Sequence, residues 1–193
     1  MFTGDSQKNI DINGSQNKVV NGNLTENHNY IQRGGKLASL FASLKTQFEN
    51  SENKDEIRDI SDSLKRFLNP KDTLGLEKKL EIQGKKHLEE DFSELKLLFA
   101  KKLQLYRNYE PAQEIFTFLL AIILERYRNL IKPLIREKAS EKELLQNISE
   151  KIINPINDLI QKEGCDDIMG LNSEIIEGMY HYLTGNCHIN WVL

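Results

Sequence analysis

The sequence predicts a mainly α protein: a helical bundle of about six helices with a small N-terminal β-meander and a short C-terminal strand. Three observations lead there. From Leu37 onward apolar residues recur at helical spacing, beginning with Leu37, Leu40, Phe41, Leu44 and Phe48. Before that, residues 1–32 are rich in asparagine and carry two Asn-Gly pairs. At the far end Cys187, Ile189, Trp191 and Leu193 alternate with His188, Asn190 and Val192, the period of a strand. The chain therefore divides into a meander, 1–32, and a helical domain, 33–193, that ends in a docked segment, 177–193.

The meander is written by two aligned units, Lys8 to Ser15 and Gln16 to Asn23, each with Asn-Gly at the same place. Asn-Gly favours a type I′ turn because both residues tolerate positive φ, and that turn suits a two-residue hairpin. Strands are expected over 8–12, 15–20 and 23–31. Isolated hairpins are marginal in water, so this element needs a partner surface. Packing on the helical body is favoured, since stacked repeats usually need about three units. The alternative is stacking between chains, with Ile10, Ile12, Val19 and Val20 as the oligomerisation residues and a homo-oligomer as the outcome.

After Arg33-Gly34-Gly35 the period becomes helical. A second apolar face, Ile57, Ile60, Leu64, Phe67 and Leu68, runs to Asn69-Pro70, which closes the first helical hairpin. From Asp72 to Asn108 one long helix is expected, bent near Gly84, with Leu76, Leu80, Leu88, Phe92, Leu95, Phe99, Leu103 and Tyr106 as its stripe. Between Glu77 and Lys102 seven lysines interleave with six acidic residues, the pattern of a solvated, ion-paired face rather than a nucleic-acid surface. Pro111 suits the first turn of the next helix, whose stretch from Ile115 to Leu124 is apolar nearly all round and so should be central. Beyond it Arg128, Lys132 and Arg136 recur every four residues and form the best basic patch in the chain, bent by Pro133. Such cations can complement the helix dipole or meet an acidic partner or phosphates. Ser140-Glu-Lys-Glu143 is a capping box, Pro155 a kink, and Ser173 the expected cap of the last helix.

The final stretch, Glu177 to Leu193, holds the only tryptophan, one of the two cysteines and two of the four histidines. Gly185 is the expected helix stop, through a left-handed backbone. Bulky, chemically capable residues at a chain end argue for docking, because unpacked termini fray. The run Gly178-Met-Tyr-His-Tyr-Leu-Thr-Gly-Asn-Cys-His-Ile-Asn-Trp191 resembles the ending of C-terminal domains from bacterial ABC-three-component conflict systems, a class that includes Lamassu-type defence. The resemblance implies a third component working with an ABC-type ATPase subunit and a small middle component. Members often carry an effector domain, such as a nuclease, ahead of this region; 193 residues leave no room for one, which argues against effector activity here. The residues expected to bind partners are Tyr180, His181, Tyr182, Asn186, His188 and Trp191, together with Arg128, Lys132 and Arg136.

Composition narrows the function further. With 26 basic and 29 acidic residues the net charge is -3, so no global field draws the chain to nucleic acid or an anionic membrane. Two cysteines and no apolar leader suggest a reducing, cytoplasmic setting. The longest apolar run, Phe118 to Leu124, is far short of the about 20 residues a bilayer span needs, so no membrane association is expected. No phosphate-binding Gly-rich motif is present, and no cofactor is expected.

Two chemical alternatives stay open. A zinc site could draw on Cys165, His181, Cys187 and His188, a tetrahedral donor set with irregular spacing and no clip motif. A thiol hydrolase could use Cys187 with His181, although adjacent Cys187 and His188 would face opposite ways on a strand and no third orienting residue stands out. Asp166 and Asp167 lack the spaced acids of a Mg²⁺ site, and His28 and His87 read as surface or half-buried side chains. No catalytic constellation emerges. The favoured reading is a non-enzymatic interaction subunit, with local nucleic-acid binding through Arg128, Lys132 and Arg136 as a further alternative.

Overall fold

The expected helical spacing is realised as nine α-helical segments among the residues described by the structure, a computed structural model covering residues 35–49, 59–71, 74–164 and 168–191. All of these lie in the compact unit Gly34–Leu193. The meander over 1–32, with Ile10, Ile12, Val19 and Val20, lies outside the described residues. Helix α1 (Lys36–Glu49) buries Leu37, Phe41 and Leu44. Helix α2 (Asp62–Leu68) starts at Ser61, whose hydroxyl accepts from the Leu64 N–H at 3.3 Å, and stops at Asn69. The strand of chain before α2 is fixed by buried Gln113: its Oε1 accepts from Ser61 N at 2.7 Å, and its Nε2 donates to Asp59 O at 3.3 Å and Arg107 O at 2.6 Å.

The single long helix expected from Asp72 to Asn108 is instead two helices, α3 (Leu76–Ile82) and α4 (Glu89–Tyr106), separated by a 3₁₀ turn at Lys86–Leu88. At the break Gly84 is left-handed (φ 68), and the N–H groups of Gly84 and Lys85 bond back to Glu81 O and Leu80 O. This double closure is a Schellman ending, and it stops a helix completely rather than bending it. Asp72 lies outside the described residues; Gly75 is the N-cap of α3.

Helix α5 (Glu110–Arg126) is the central element, with Ala112, Ile115, Phe116, Leu119, Leu120 and Ile123 at 0% exposure. It runs through a π turn (Tyr127–Ile131) into α6 (Lys132–Arg136). Helices α7 (Glu141–Ile148) and α8 (Asn154–Glu163) are joined the same way across a π turn at Ser149–Ile153. Each π turn lies just before a proline, Pro133 or Pro155. Proline removes an N–H and crowds the carbonyl four residues back, and widening the turn to i→i−5 bonds, Lys132 N–H to Tyr127 O and Asn154 N–H to Ser149 O, makes room for the ring. The Ser140 cap is present, with its hydroxyl accepting from Glu143 N at 3.3 Å.

Helix α9 (Ser173–Gly185) is capped by Asn172, one residue earlier than expected, whose side chain accepts from Ile175 N at 3.0 Å. It lies along α4 as the principal helix pair and also meets α3, α5, α8 and the second π turn. The crossing with α4 is close because Gly178 has no side chain: a Cβ there would fall 2.3 Å from Leu95 O and 3.0 Å from Phe99 Cβ. The chain after α9 forms turns and bends, and no strand occurs among the described residues. Gly178→Ala is therefore expected to push α4 and α9 apart and lower unfolding free energy by about 1–3 kcal/mol in urea titration. Gly75→Ser, where an added Cβ meets nothing within 4 Å, is expected to cause no loss.

Candidate functional site

The end of α9 is closed without glycine. Asn186 is the C-cap, Cys187 takes the left-handed conformation (φ 61), and the N–H groups of Cys187 and His188 bond to Thr184 O at 3.1 Å and Leu183 O at 2.9 Å. The stop expected at Gly185 thus falls two residues later, Gly185 being the last helical residue. What holds Cys187 there is its thiol, which donates to Leu74 O at 2.8 Å. Lys79 adds a further donor here, at 2.6 Å to Thr184 O, which already accepts from Cys187 N–H, and at 3.0 Å to Ile189 O beyond the helix. The residue is 6% exposed. A cation at a helix C-terminus bonds its last carbonyls and complements its dipole. Lys79 therefore does not belong to the solvated lysine face, whereas its neighbour Lys78 does, pairing with Glu81 at 2.6 Å. Asn186 adds a second tie, donating from Nδ2 to Phe67 O at 3.0 Å and Leu68 O at 3.2 Å at the end of α2.

The expected alternation survives as burial although the strand does not. Cys187, Ile189 and Trp191 are buried, His188 is half-buried and Asn190 exposed. Trp191 packs against Phe92 and Tyr180 at ring separations of 5.8 and 6.3 Å, with the Lys85 ammonium 5.9 Å from its ring. Its indole N–H has no hydrogen-bond partner among the described residues. His181 stacks on Phe92 at 3.7 Å and 23°, and its Nε2 lies 3.7 Å from Glu177 Oε1, too far for a hydrogen bond. Burial pushes the His181 pKa down, against the opposing pull of Glu177. His188 is pushed down too, first by burial and then by Lys71. Tyr180 is wholly buried, which drives its phenol well up. Of the segment residues expected to meet partners, Tyr180, His181, Asn186 and Trp191 are internal, and Tyr182 and His188 face partly outward.

The basic face adjoins this segment. Tyr127, in the first π turn, donates from its hydroxyl to Asn190 O at 2.5 Å and accepts from Asn190 N at 3.2 Å. Burial raises the Tyr127 phenol, opposed by the Asn190 bond and the positive charges of Arg128 and Arg136. Arg128 and Arg136 are exposed and Lys132 half-exposed, and no carboxylate among the described residues pairs with them. Arg126 turns away to donate to Lys151 O at 2.6 Å.

Among the described residues no three His, Cys, Asp or Glu side chains converge as metal ligands; Cys165 lies outside them. His87 is exposed and bonds Glu141 at 2.9 Å beside Lys85 at 2.8 Å, which together lower the Glu141 pKa. Sequence reasoning missed Lys79 and Tyr127. Both were signalled by position rather than type, since Lys79 sits between Leu76 and Leu80 on the apolar face of α3, and Tyr127 continues the face of Ile123, Leu124 and Ile131.

Residues 75–191 match the sequence model of C-terminal domain 9 of the ABC-three component (ABC-3C) systems. The chain belongs to this family. No curated protein and no solved structure matches it. The match begins at the N-cap of α3 and ends at Trp191, so the C-terminal domain is α3 to α9 with its terminal segment, and Lys79 joins its first helix to its last turns. Membership makes the chain a component of a multi-component system that associates with other components.

Lys79→Met, which removes the ammonium from Ile189 O and one of the two donors from Thr184 O, is expected to lower unfolding free energy by about 2–4 kcal/mol in urea titration. Lys78→Met should leave stability nearly unchanged. A second expectation concerns pH. His181 and His188 have folded pKa values below the unfolded value of about 6.5, so the unfolded state binds protons first. Stability should hold above that pH and fall as pH drops below it. His181→Phe, which keeps a stacked ring, should show a smaller fall in urea midpoint between about pH 7 and 5 than the natural chain.

Proposed function

We propose that the chain is a non-enzymatic interaction subunit of a bacterial defence complex, working in the cytoplasm and binding an ABC-type ATPase and a middle component. One observation carries this reading: through the Tyr127–Asn190 bonds the exposed cations Arg128 and Arg136 stand beside the end of the family's C-terminal segment. A rigid helix, a locked turn and charges without ion-pair partners among the described residues form a pre-organised surface for an acidic partner, since little ordering is needed on binding. Support also comes from what the reactive side chains do. Cys187 donates its thiol to a carbonyl, and the two histidines of the segment pack on Phe92 and Phe67. Among the described residues no helix is long and apolar enough to cross a membrane.

The same unpaired cations support a second reading, local contact with nucleic-acid phosphates. Light-scattering mass of the chain mixed with the ATPase and middle components separates the two. A complex is expected, weakened at least about tenfold by Arg128→Glu with Arg136→Glu, because reversal places like charges against the partner. A chain that stays free of both components, yet shifts DNA with a steep salt dependence, would replace the interaction reading by the nucleic-acid one.

A further inference from the structure

Away from the basic face, the chain has a region of the opposite sign. Asp91 and Glu94 on α4 and Glu174 and Glu177 on α9 rim a cleft of about 610 Å³ closed on its other side by α7 and the second π turn. Among the described residues no lysine or arginine lines it, and none of Asp91, Glu94 or Glu174 has a cationic partner. Four carboxylates around one concavity repel one another and focus a negative potential on it. A second, independent feature points inward. His181 lines the same cleft, is 1% exposed, and has no hydrogen-bond partner at either Nδ1 or Nε2. A buried polar group without a partner is unfavourable, and a ligand that supplies one relieves it.

The chemistry of the lining narrows the occupant. Among the described residues no three potential ligands converge, so the acids are not arranged for a bare metal ion. The walls between the carboxylates are aliphatic, with Leu95, Ile148 and Ile153 among them, and Phe92 lies flat against the His181 ring. A long cationic side chain fits this combination, its methylene stem on the aliphatic wall and its charged head among the carboxylates. Guanidinium fits better than ammonium, because its planar fork can donate to Glu177 and to the accepting nitrogen of a neutral imidazole at once. We infer that this cleft is a socket for an arginine side chain carried on a segment of a partner protein. The inference rests on the interaction-subunit reading only for the occupant being a protein; recognition of the cation follows from the cleft itself.

The test uses the full chain alone and so does not depend on whether the other components bind. The peptide acetyl-Leu-Arg-Leu-amide is titrated while the His181 imidazole resonances are followed by NMR, with acetyl-Leu-Gln-Leu-amide and agmatine as comparators. The expected result is a saturable His181 shift with the arginine peptide, a much weaker one with either comparator, and an approximately tenfold loss of affinity in Glu174→Gln with Glu177→Gln. Both substitutions keep side-chain shape at positions open to solvent, and an unchanged melting temperature confirms the fold. No saturable shift, an equal shift with the glutamine peptide, or undiminished affinity in the double variant would overturn the socket. Agmatine binding as tightly as the peptide would overturn the protein segment as occupant in favour of a small organic cation. If the arginine peptide binds while the ATPase and middle component do not, the socket stands and the interaction-subunit reading fails.

Discussion

The ammonium of Lys79 donates to Thr184 O and Ile189 O from a side chain that is almost wholly buried, and the position of the last helix depends on it. A buried cation is unfavourable unless donors and acceptors match, which ties α3 to the α9 end as one unit. Two other attachments act on the same few residues, the Cys187 thiol on Leu74 O and the Asn186 amide on the end of α2. Because α9 also lies along α4 at the Gly178 crossing, these three attachments fix the inner wall of the whole domain. The left-handed backbone at Cys187 costs about 1–2 kcal/mol for a residue with a side chain, and the surrounding bonds hold it in place.

The two long rods owe their shape to local chemistry in a different way. Each contains a proline where an uninterrupted helix would otherwise run, and each absorbs it with a π turn. The consequence is more than accommodation. The first π turn points Tyr127 inward to Asn190 while leaving Arg128 exposed on the adjacent position, so a backbone irregularity joins the buried lock to the charged surface. The second contributes Ser149 and Ile153 to the wall of the acidic cleft.

Much of this was legible in the sequence where one residue type has one structural use. The stripe of α1, the burial of α5, the Ser140 cap and the family of the C-terminal run all follow from local pattern, whereas the prolines predict bends and the structure shows π turns before them. The break at Gly84 was not legible, because Leu80 and Leu88 keep an apolar stripe in phase across it. The terminal strand was misread for a related reason: period-two burial from Cys187 to Trp191 is shared by a strand and by an extended turn, and only a pairing partner distinguishes them. Lys79 was hidden by its type, since lysine is rarely buried and its two acceptors lie more than a hundred residues away. The Tyr127–Asn190 bond beside the basic face was likewise hidden, because it spans 63 residues.

His181, Phe92, Trp191, Tyr180 and Tyr127 form one chain of ring contacts, from the acidic cleft at one end to the basic face at the other. Three of the five carry buried polar atoms without hydrogen-bond partners among the described residues: the Tyr180 hydroxyl, both His181 nitrogens and the Trp191 indole N–H. Phenylalanine or leucine could fill such volume without that penalty, which is about 1–3 kcal/mol for each group left unpaired. The cluster is thus less stable than its packing alone would make it, and Lys79, Cys187 and Asn186 offset the difference at its edge. Unpaired groups in a rigid setting have a definite consequence for binding. A partner atom that reaches one of them gains a hydrogen bond whose geometry is already set and whose desolvation has already occurred on folding. Of the three side chains His181 lines the acidic cleft, so the group that weakens the core there is also the one nearest to an incoming partner atom.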